Sequence, residues 1–269
     1  MCSLRVNMNN VTLNADLLLS EINDRDIRII DVRSPKDYVQ NHIHNSVNLP
    51  LLELLSNNSP QHLVKLIQSL GIDDDTYVVV YDNTFGALAS RLVWNLLYIG
   101  HNNVSLLDIT YDKWKLSGYE IDSKNIDFGT RLHTLHINND ILSTIDDLEK
   151  KIDNDNTVII DNRERLNFLE QHIPNAINIP YKIFASSNKI LKPQDELIKI
   201  FENRNIKNNS EIITYCGSSG TLSGLAYNAL KSIGFEHVRL YANSFKEWKK
   251  LHKTIVKQDH ANYWDLSAE

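Results

Sequence analysis

Glu211-Ile212-Ile213-Thr214-Tyr215-Cys216-Gly217-Ser218-Ser219-Gly220-Thr221 reads as a buried strand running straight into a tight loop. Its β-branched and aromatic residues favour a pleated strand. Leu222 to Ile233 then has helical apolar spacing and is closed by Gly234. Strand, small-residue loop and helix in this order belong to an α/β fold with a mostly parallel sheet, in which ligands gather at the carboxyl ends of the strands.

The same passage occurs earlier with one decisive change. At an offset of 134 residues Tyr81 matches Tyr215, Gly86 matches Gly220, Gly100 matches Gly234, and Trp114 matches Trp248. In that register Asp82 stands where Cys216 stands. Nearer the N-terminus the offset is 130: Ile29-Ile30-Asp31-Val32-Arg33 falls on Ile159-Ile160-Asp161-Asn162-Arg163, and His42-Ile43 on His172-Ile173. Repetition at a domain-sized period means two copies of one fold. A carboxylate cannot act as a sulfur nucleophile, so one copy is expected to keep a reaction and the other to serve as scaffold.

The remaining elements alternate in both copies. Ile27 to Val32, Val47 to Pro50, Tyr77 to Tyr81 and Val104 to Leu107 read as strands of the first copy, with helices over Leu63 to Leu70 and Ala87 to Ile99. In the second copy Thr144 caps a helix to Ile152, Val158 to Asp161 is a strand, Pro193 opens a helix to about Arg204, and Val238 to Tyr241 is a strand. Each copy is therefore expected to be a mostly parallel sheet with helices on both faces. The expected divisions are 8–122, a linker over 123–140 without clear periodicity that could wrap one domain, and 141–269.

Composition narrows the function classes. The 269 residues carry a formal charge of -6 and no basic block, which argues against nucleic acid as a partner. No apolar run approaches the roughly 20 residues of a membrane span, and Met1 to Arg5 lacks the apolar core of a secretory signal. The two cysteines, Cys2 and Cys216, make no disulfide framework, and a reduced, cytoplasmic setting is expected. Neither the cysteines nor the ten histidines show metal-ligand spacing, so no metal or organic cofactor is expected. Trp114 and Trp248 suit packing, and His237, His252 and His260 a solvated surface.

The loop from Cys216 to Thr221 carries the expected chemistry. Small residues let successive backbone N–H groups converge on one point, and the following helix adds its positive end. Such a cradle favours an anionic sulfur and would hold an anionic persulfide, Cys–S–S⁻. Cysteine phosphatases need an arginine six residues after the nucleophile for bidentate phosphate binding. Leu222 stands there, so phosphate ester cleavage is disfavoured.

These features resemble the rhodanese superfamily in its tandem sulfurtransferase form, the thiosulfate and 3-mercaptopyruvate sulfurtransferases. The doubled Asp-x-Arg (Asp31/Arg33, Asp161/Arg163), the turn His172-Ile173-Pro174-Asn175-Ala176 with its variant His42-Ile43-His44-Asn45-Ser46, and the six-residue loop carry the resemblance over nearly the whole chain. It implies two rhodanese-like domains, the first inactive and the second catalytic. It also implies ping-pong transfer of a sulfane sulfur through a Cys216 persulfide to cyanide, a small thiol or a protein thiol such as a thioredoxin-like protein. A monomer or weak dimer is expected.

The donor stays open between thiosulfate and 3-mercaptopyruvate. Gly217 and Ser218 follow the cysteine, as in the mercaptopyruvate type, where a serine joins a histidine and an aspartate of the first domain; the matching positions are Ser218, His42 and Asp31. The repetition of that His and Asp at His172 and Asp161 equally suits plain architecture. The resemblance assigns donor binding to Gly217, Ser219, Gly220 and Thr221. Arg163 and Arg165 are the candidate counter-charges, with solvated charge as the other reading of Arg165. Asn167 stands where the mercaptopyruvate type has an arginine, and Ser219 where the family loop usually has glycine. Two other readings share the fold: a sulfur relay to a biosynthetic protein, and a sulfide- or oxidant-sensing binding module with little turnover.

Overall fold

The computed structural model describes residues 10–22 and 26–257; Cys2, His260 and the outer ends of both expected domains lie outside them. The chain forms two compact units, one of Met1–Asn138 with Ser187–Ile190 and one of Asn139–Ser186 with Leu191–Glu269. The expected linker residues up to Asn138 cluster with the first unit.

In the first unit the strands are β1 (Thr12–Leu13), β2 (Ile27–Asp31), β3 (His42–Ile43), β4 (Ser46–Asn48), β5 (Tyr77–Tyr81), β6 (Val104–Leu107) and β7 (Ile121–Asp122). Five of them make a parallel sheet in the order β1-β6-β5-β2-β4, while β3 and β7 pair antiparallel. The helices are α1 (Ala15–Glu21), α2 (Pro35–Gln40), α3 (Leu51–Ser56), α4 (Pro60–Ser69), α5 (Ala87–Tyr98) and α6 (Tyr111–Leu116).

Period-2 alternation decides which face each side chain enters. Val78 and Val80 join Leu54, Ile67, Leu92 and Leu96 from α3, α4 and α5 in one buried cluster. Tyr77, Val79 and Tyr81 join Leu18 and Trp114 from α1 and α6 in the other. The all-apolar run Tyr77–Tyr81 thus reflects burial on both faces, as parallel sheets require.

The expected linker has neither helix nor sheet of its own over 123–138 but is fastened along the first unit. Its N–H groups at Arg131, His136 and Asn138 donate to the carbonyls of Gln68, Ile99 and Tyr98 at 3.1, 3.0 and 2.8 Å. Phe128 lies under the Arg28 guanidinium, 3.7 Å from its ring centroid. Backbone groups that lack periodic partners are satisfied by a neighbour's helix ends instead.

The second unit repeats the plan with fewer strands: β8 (Thr157–Asp161), β9 (Ile177–Asn178), β10 (Glu211–Tyr215) and β11 (Val238–Leu240), in the parallel order β11-β10-β8-β9. Its helices are α7 (Ile145–Lys151), α8 (Arg165–Glu170), α9 (Gln194–Glu202), α10 (Thr221–Ser232) and α11 (Ser244–Lys250). Thr144 caps α7, as the sequence suggests, and Asp147 completes a capping box with it. Ile159, Ile213 and Tyr215 face α7, α8 and α11 through Leu148, Phe168 and Trp248. Trp114 and Trp248 are both buried and donate their indole N–H to Glu120 and Thr254 carbonyls, which is a packing role. His237 and His252 are exposed.

Candidate active site

Cys216 follows the last residue of β10, and α10 begins five residues later at Thr221. Gly220 turns the chain in the left-handed region at φ 68°, where a side chain would be strained. The cysteine itself is 2% exposed. Gly217 and Ser218, immediately after it, are exposed.

One hydroxyl meets both the backbone and the sulfur of Cys216. Cys216 N–H donates to Ser244 Oγ at 3.2 Å, and Sγ lies 3.7 Å from the same oxygen. Ser244 occupies φ 56°, an unusual conformation for a residue with a Cβ, and its hydroxyl donates to the Tyr241 carbonyl at 3.0 Å. The carbonyls of Cys216 and Gly217 accept from Phe245 and Lys246 N–H at 3.1 and 2.9 Å, which ties the loop to α11. Ser244 escaped the sequence reading. The only hint was a serine two positions after the Tyr241-Ala242 step, and nothing local links it to a cysteine 28 residues earlier.

The first copy shows what the loop is shaped to hold. The Asp82 carboxylate is 1% exposed and accepts from the backbone N–H groups of Thr84, Gly86, Leu88 and Ala89 at 2.8, 2.8, 2.8 and 3.0 Å. The Thr84 hydroxyl adds a fifth bond at 3.0 Å. At the 134-residue offset those amides are Ser218, Gly220, Leu222 and Ser223. None of these four N–H groups is committed to an acceptor among the described residues. Gly86 and Gly220 share the left-handed turn, at φ 83° and 68°. An aspartate carboxylate oxygen and the outer sulfur of a cysteine persulfide are both two bonds beyond Cβ. The first loop is therefore an anion cradle filled by its own carboxylate.

The Asp-x-Arg pairs are structural clamps. Asp161 sits beside Tyr215 across the β8–β10 pairing. Arg163 Nη2 donates to Asp161 at 2.5 Å and to the Gln171 carbonyl at 2.6 Å, joining the end of the strand to the end of α8. Arg33 repeats this with Asp31 at 2.6 Å and the Asn41 carbonyl at 2.8 Å. Burial, reinforced by Asp161, holds the Tyr215 phenol well above its ordinary pKa.

These contacts decide the Asp31–His42 pairing expected from the resemblance: it is not formed. Asp31 is spent on Arg33 and on the Tyr81 hydroxyl at 2.6 Å. His42 is fully buried, stacked on Tyr38, with its nitrogens against the carbonyls of Tyr38 and Lys124 at 2.8 and 3.2 Å. His172 stacks on Phe168 in the same way and meets its carbonyl at 2.7 Å. The doubled histidine is thus a turn fastener in both copies.

An open pocket of about 450 Å³ lies at the mouth of the Cys216 loop. Gly217, Ser218, Leu222 and Phe245 line it with Arg163, Glu164, Asn167, Lys246 and Lys249. Arg165 is not among them; its guanidinium lies 5.7 Å from the Phe168 ring centroid.

The model of the Rhodanese-like domain matches residues 14–117 and again 144–251. A probable 3-mercaptopyruvate sulfurtransferase of Schizosaccharomyces pombe is 31% identical over 207 residues, spanning 68% of this chain and 67% of its own. Thiosulfate/3-mercaptopyruvate sulfurtransferase 2 of Arabidopsis thaliana is 25% identical over 292 residues, covering 90% and 85% of the two chains. The crystal structure of SseA from Escherichia coli, described as a 3-mercaptopyruvate sulfotransferase with the rhodanese fold, matches with a TM-score of 0.79 and 25% identity over 88% of this chain and 99% of its own. The chain belongs to the rhodanese-like family, with two copies of the domain in the tandem arrangement of its sulfurtransferases.

Proposed function

We propose that the protein is a sulfurtransferase that moves a sulfane sulfur from 3-mercaptopyruvate or thiosulfate to a thiophilic acceptor through a Cys216 persulfide. One observation carries the reading. The four amides that grip the Asp82 carboxylate in the first copy have uncommitted counterparts around Cys216.

The Cys216 thiolate attacks the outer sulfur of the donor. With thiosulfate the S–S bond breaks, sulfite leaves with the electron pair, and Cys–S–S⁻ remains. With 3-mercaptopyruvate the C–S bond breaks, and the pair on carbon is quenched by the thiol proton to give pyruvate. The new outer sulfur then occupies the place that Asp82 Oδ occupies in the first loop, where preorganised dipoles stabilise its charge. Cyanide or a thiol attacks that sulfur and regenerates the thiolate. Ser218, in the pocket wall, is the hydroxyl we assign to proton handling during release, and Gly217, Ser219, Gly220 and Thr221 shape the cradle. Arg163 contributes through position, since its fork is held by Asp161 and Gln171. Acceptance by a thioredoxin-like protein, a cytoplasmic setting and a monomeric or weakly dimeric state accompany this reading. Scarce cysteine supports the setting; among the described residues no helix is long and apolar enough to cross a membrane.

The test is to incubate reduced protein with each donor and weigh it intact. Gain of one sulfur atom on Cys216, its loss to cyanide, and catalytic turnover are expected. The Cys216→Ser variant should take up no sulfur and turn over nothing. Stoichiometric loading without turnover would favour a relay or sensor instead.

A further inference from the structure

The pocket beside Cys216 and its counterpart beside Asp82 are lined by equivalent residues with different charge. Around Asp82 the lining includes Arg33, Ser34, Asp37, Asn83, Thr84, Leu88, Tyr111, Asp112 and Lys115. Position by position these match Arg163, Glu164, Asn167, Gly217, Ser218, Leu222, Phe245, Lys246 and Lys249. Asp112 has become Lys246, and Asp37 has become Asn167. The ionisable lining residues sum to zero in the first pocket and to +2 in the second.

The exchange of Asp112 for Lys246 accounts for that difference, because the changes from Asp37 to Asn167 and from Ser34 to Glu164 cancel and Lys249 is already a lysine, Lys115, in the first copy. Glu164, the one acidic residue of the second lining, is paired with Lys182 at 2.7 Å. Arg163 is paired with Asp161. Lys246 and Lys249 have no carboxylate within ion-pair distance among the described residues, and both are exposed. Lys246 is held at the mouth because its own N–H donates to the Gly217 carbonyl, the residue after the nucleophile. Lys249 lies one turn further along α11, with Nζ 5.2 Å from the Phe245 ring centroid. They are neighbours on one helix face.

We propose that Lys246 and Lys249 are the specificity-determining residues for the donor: they attract the anionic end of a small sulfane-sulfur compound and favour a dianion over a monoanion. The loop itself offers only neutral Gly217 and Ser218 after the cysteine, so α11 supplies the counter-charge from a different part of the chain. Long-range attraction in a concave site raises encounter rates and falls with salt. This deepens the sulfur-transfer reading and rests on it only for the identity of the natural donor.

The test uses the full chain and three methanethiosulfonate reagents, one uncharged, one carrying a sulfonate and one a quaternary ammonium. In each case the Cys216 thiolate takes the thioalkyl group, and methanesulfinate leaves. Modification of Cys216 is followed by peptide mass in wild type, in the double variant Lys246→Glu/Lys249→Glu, and in Lys250→Glu, a charge reversal on the same helix outside the pocket lining. The double variant should slow the anionic reagent about 10-fold and speed the cationic one about 10-fold, so that their ratio moves about 100-fold, with the uncharged rate within about twofold. Lys250→Glu should move the ratio less than about threefold. In turnover, the KM for thiosulfate should rise more than that for 3-mercaptopyruvate, with kcat nearly kept. An unchanged reagent ratio, or equal changes for all three reagents, would overturn the proposal. Failure of the wild type to take sulfur from either donor would instead defeat the transfer reading and leave the reagent result standing.

Discussion

Asp82 and Cys216 occupy the same place in two copies of one loop, but the aspartate reaches the amides and the cysteine stops one bond short of them. Asp82 meets four backbone N–H groups within 3.0 Å. The Cys216 sulfur lies 3.7 Å from Ser244 Oγ. The second loop thus has room for a side chain one atom longer than cysteine, which is the length the proposed persulfide would supply.

Removing the carboxylate from the first loop should cost stability without touching the chemistry. Asp82→Ala leaves four amides and a hydroxyl without their buried acceptor. Loss of about 3–5 kcal/mol is expected, read as a lower urea midpoint of the first unit. Sulfur uptake by Cys216 in the folded fraction should stay near wild type. Full stability would show that the cradle has a second occupant.

Ser244 separates strain from chemistry. Ser244→Gly removes the hydroxyl and relieves the left-handed backbone at φ 56°, whereas Ser244→Ala removes the hydroxyl and keeps the strain. Both should slow persulfide formation by about 10-fold, because the hydroxyl that donates to the Tyr241 carbonyl in the resting loop can turn its single proton to the thiolate as a charge-assisted hydrogen bond. The glycine variant should be the more stable by about 1 kcal/mol. Thermal melts and single-turnover sulfur uptake measure the two effects, and unequal rates for the two variants would count against a role for the hydroxyl.

The Asp161–Arg163 clamp should behave as structure. Arg163→Met strands a fully buried carboxylate and frees the Gln171 carbonyl, so a loss of about 3–5 kcal/mol is expected. Arg33→Met should destabilise the first unit comparably. If Arg163 bound the donor directly, its variant would instead raise KM far more than it lowered the melting temperature.

The first unit should weaken in acid through a buried histidine pair. His101 Nδ1 and His133 Nε2 are 3.2 Å apart, His133 belongs to the segment fastened on that unit, and Asp74 is the acidic group nearby at 3.6 Å. Burial, then repulsion from His133, lowers the pKa of His101 to about 4 from 6.5; burial also lowers that of His133. Below 6.5 the unfolded chain holds more protons than the folded one, so this contribution is complete above pH 6.5 and is lost as pH falls towards 4. It amounts to about 3 kcal/mol for His101. Urea unfolding from pH 7.5 to 4.5 should show the slope, and His101→Phe should flatten it. An unchanged slope would refute the assignment.

Much of this was legible without coordinates. The strand Glu211–Tyr215, the helix after Gly220 and the N-cap at Thr144 are local matters of side-chain period, backbone freedom and short-range hydrogen bonds. They follow from neighbouring residues and match the structure within a residue or two. The duplication was visible because a repeated fold repeats its apolar pattern and its turn residues.

One reading changed meaning in three dimensions, and another gained its partners there. His42, which the resemblance matches to a catalytic histidine, is a turn fastener by contact, as its repeat His172 is in the second unit. The aperiodic run after Asp122 reads as a linker that could wrap one domain, and it is hydrogen-bonded along the first unit's helix ends.

By itself the chain determined two α/β copies and placed one cysteine at the end of a strand, since these depend on order and spacing along the backbone. Only the tertiary structure decided that Asp82 fills its cradle, that Ser244 attends the sulfur, and that two lysines of α11 charge the pocket. Hydrogen bonds and Coulomb forces act across space, between residues whose separation in sequence carries no mark of it.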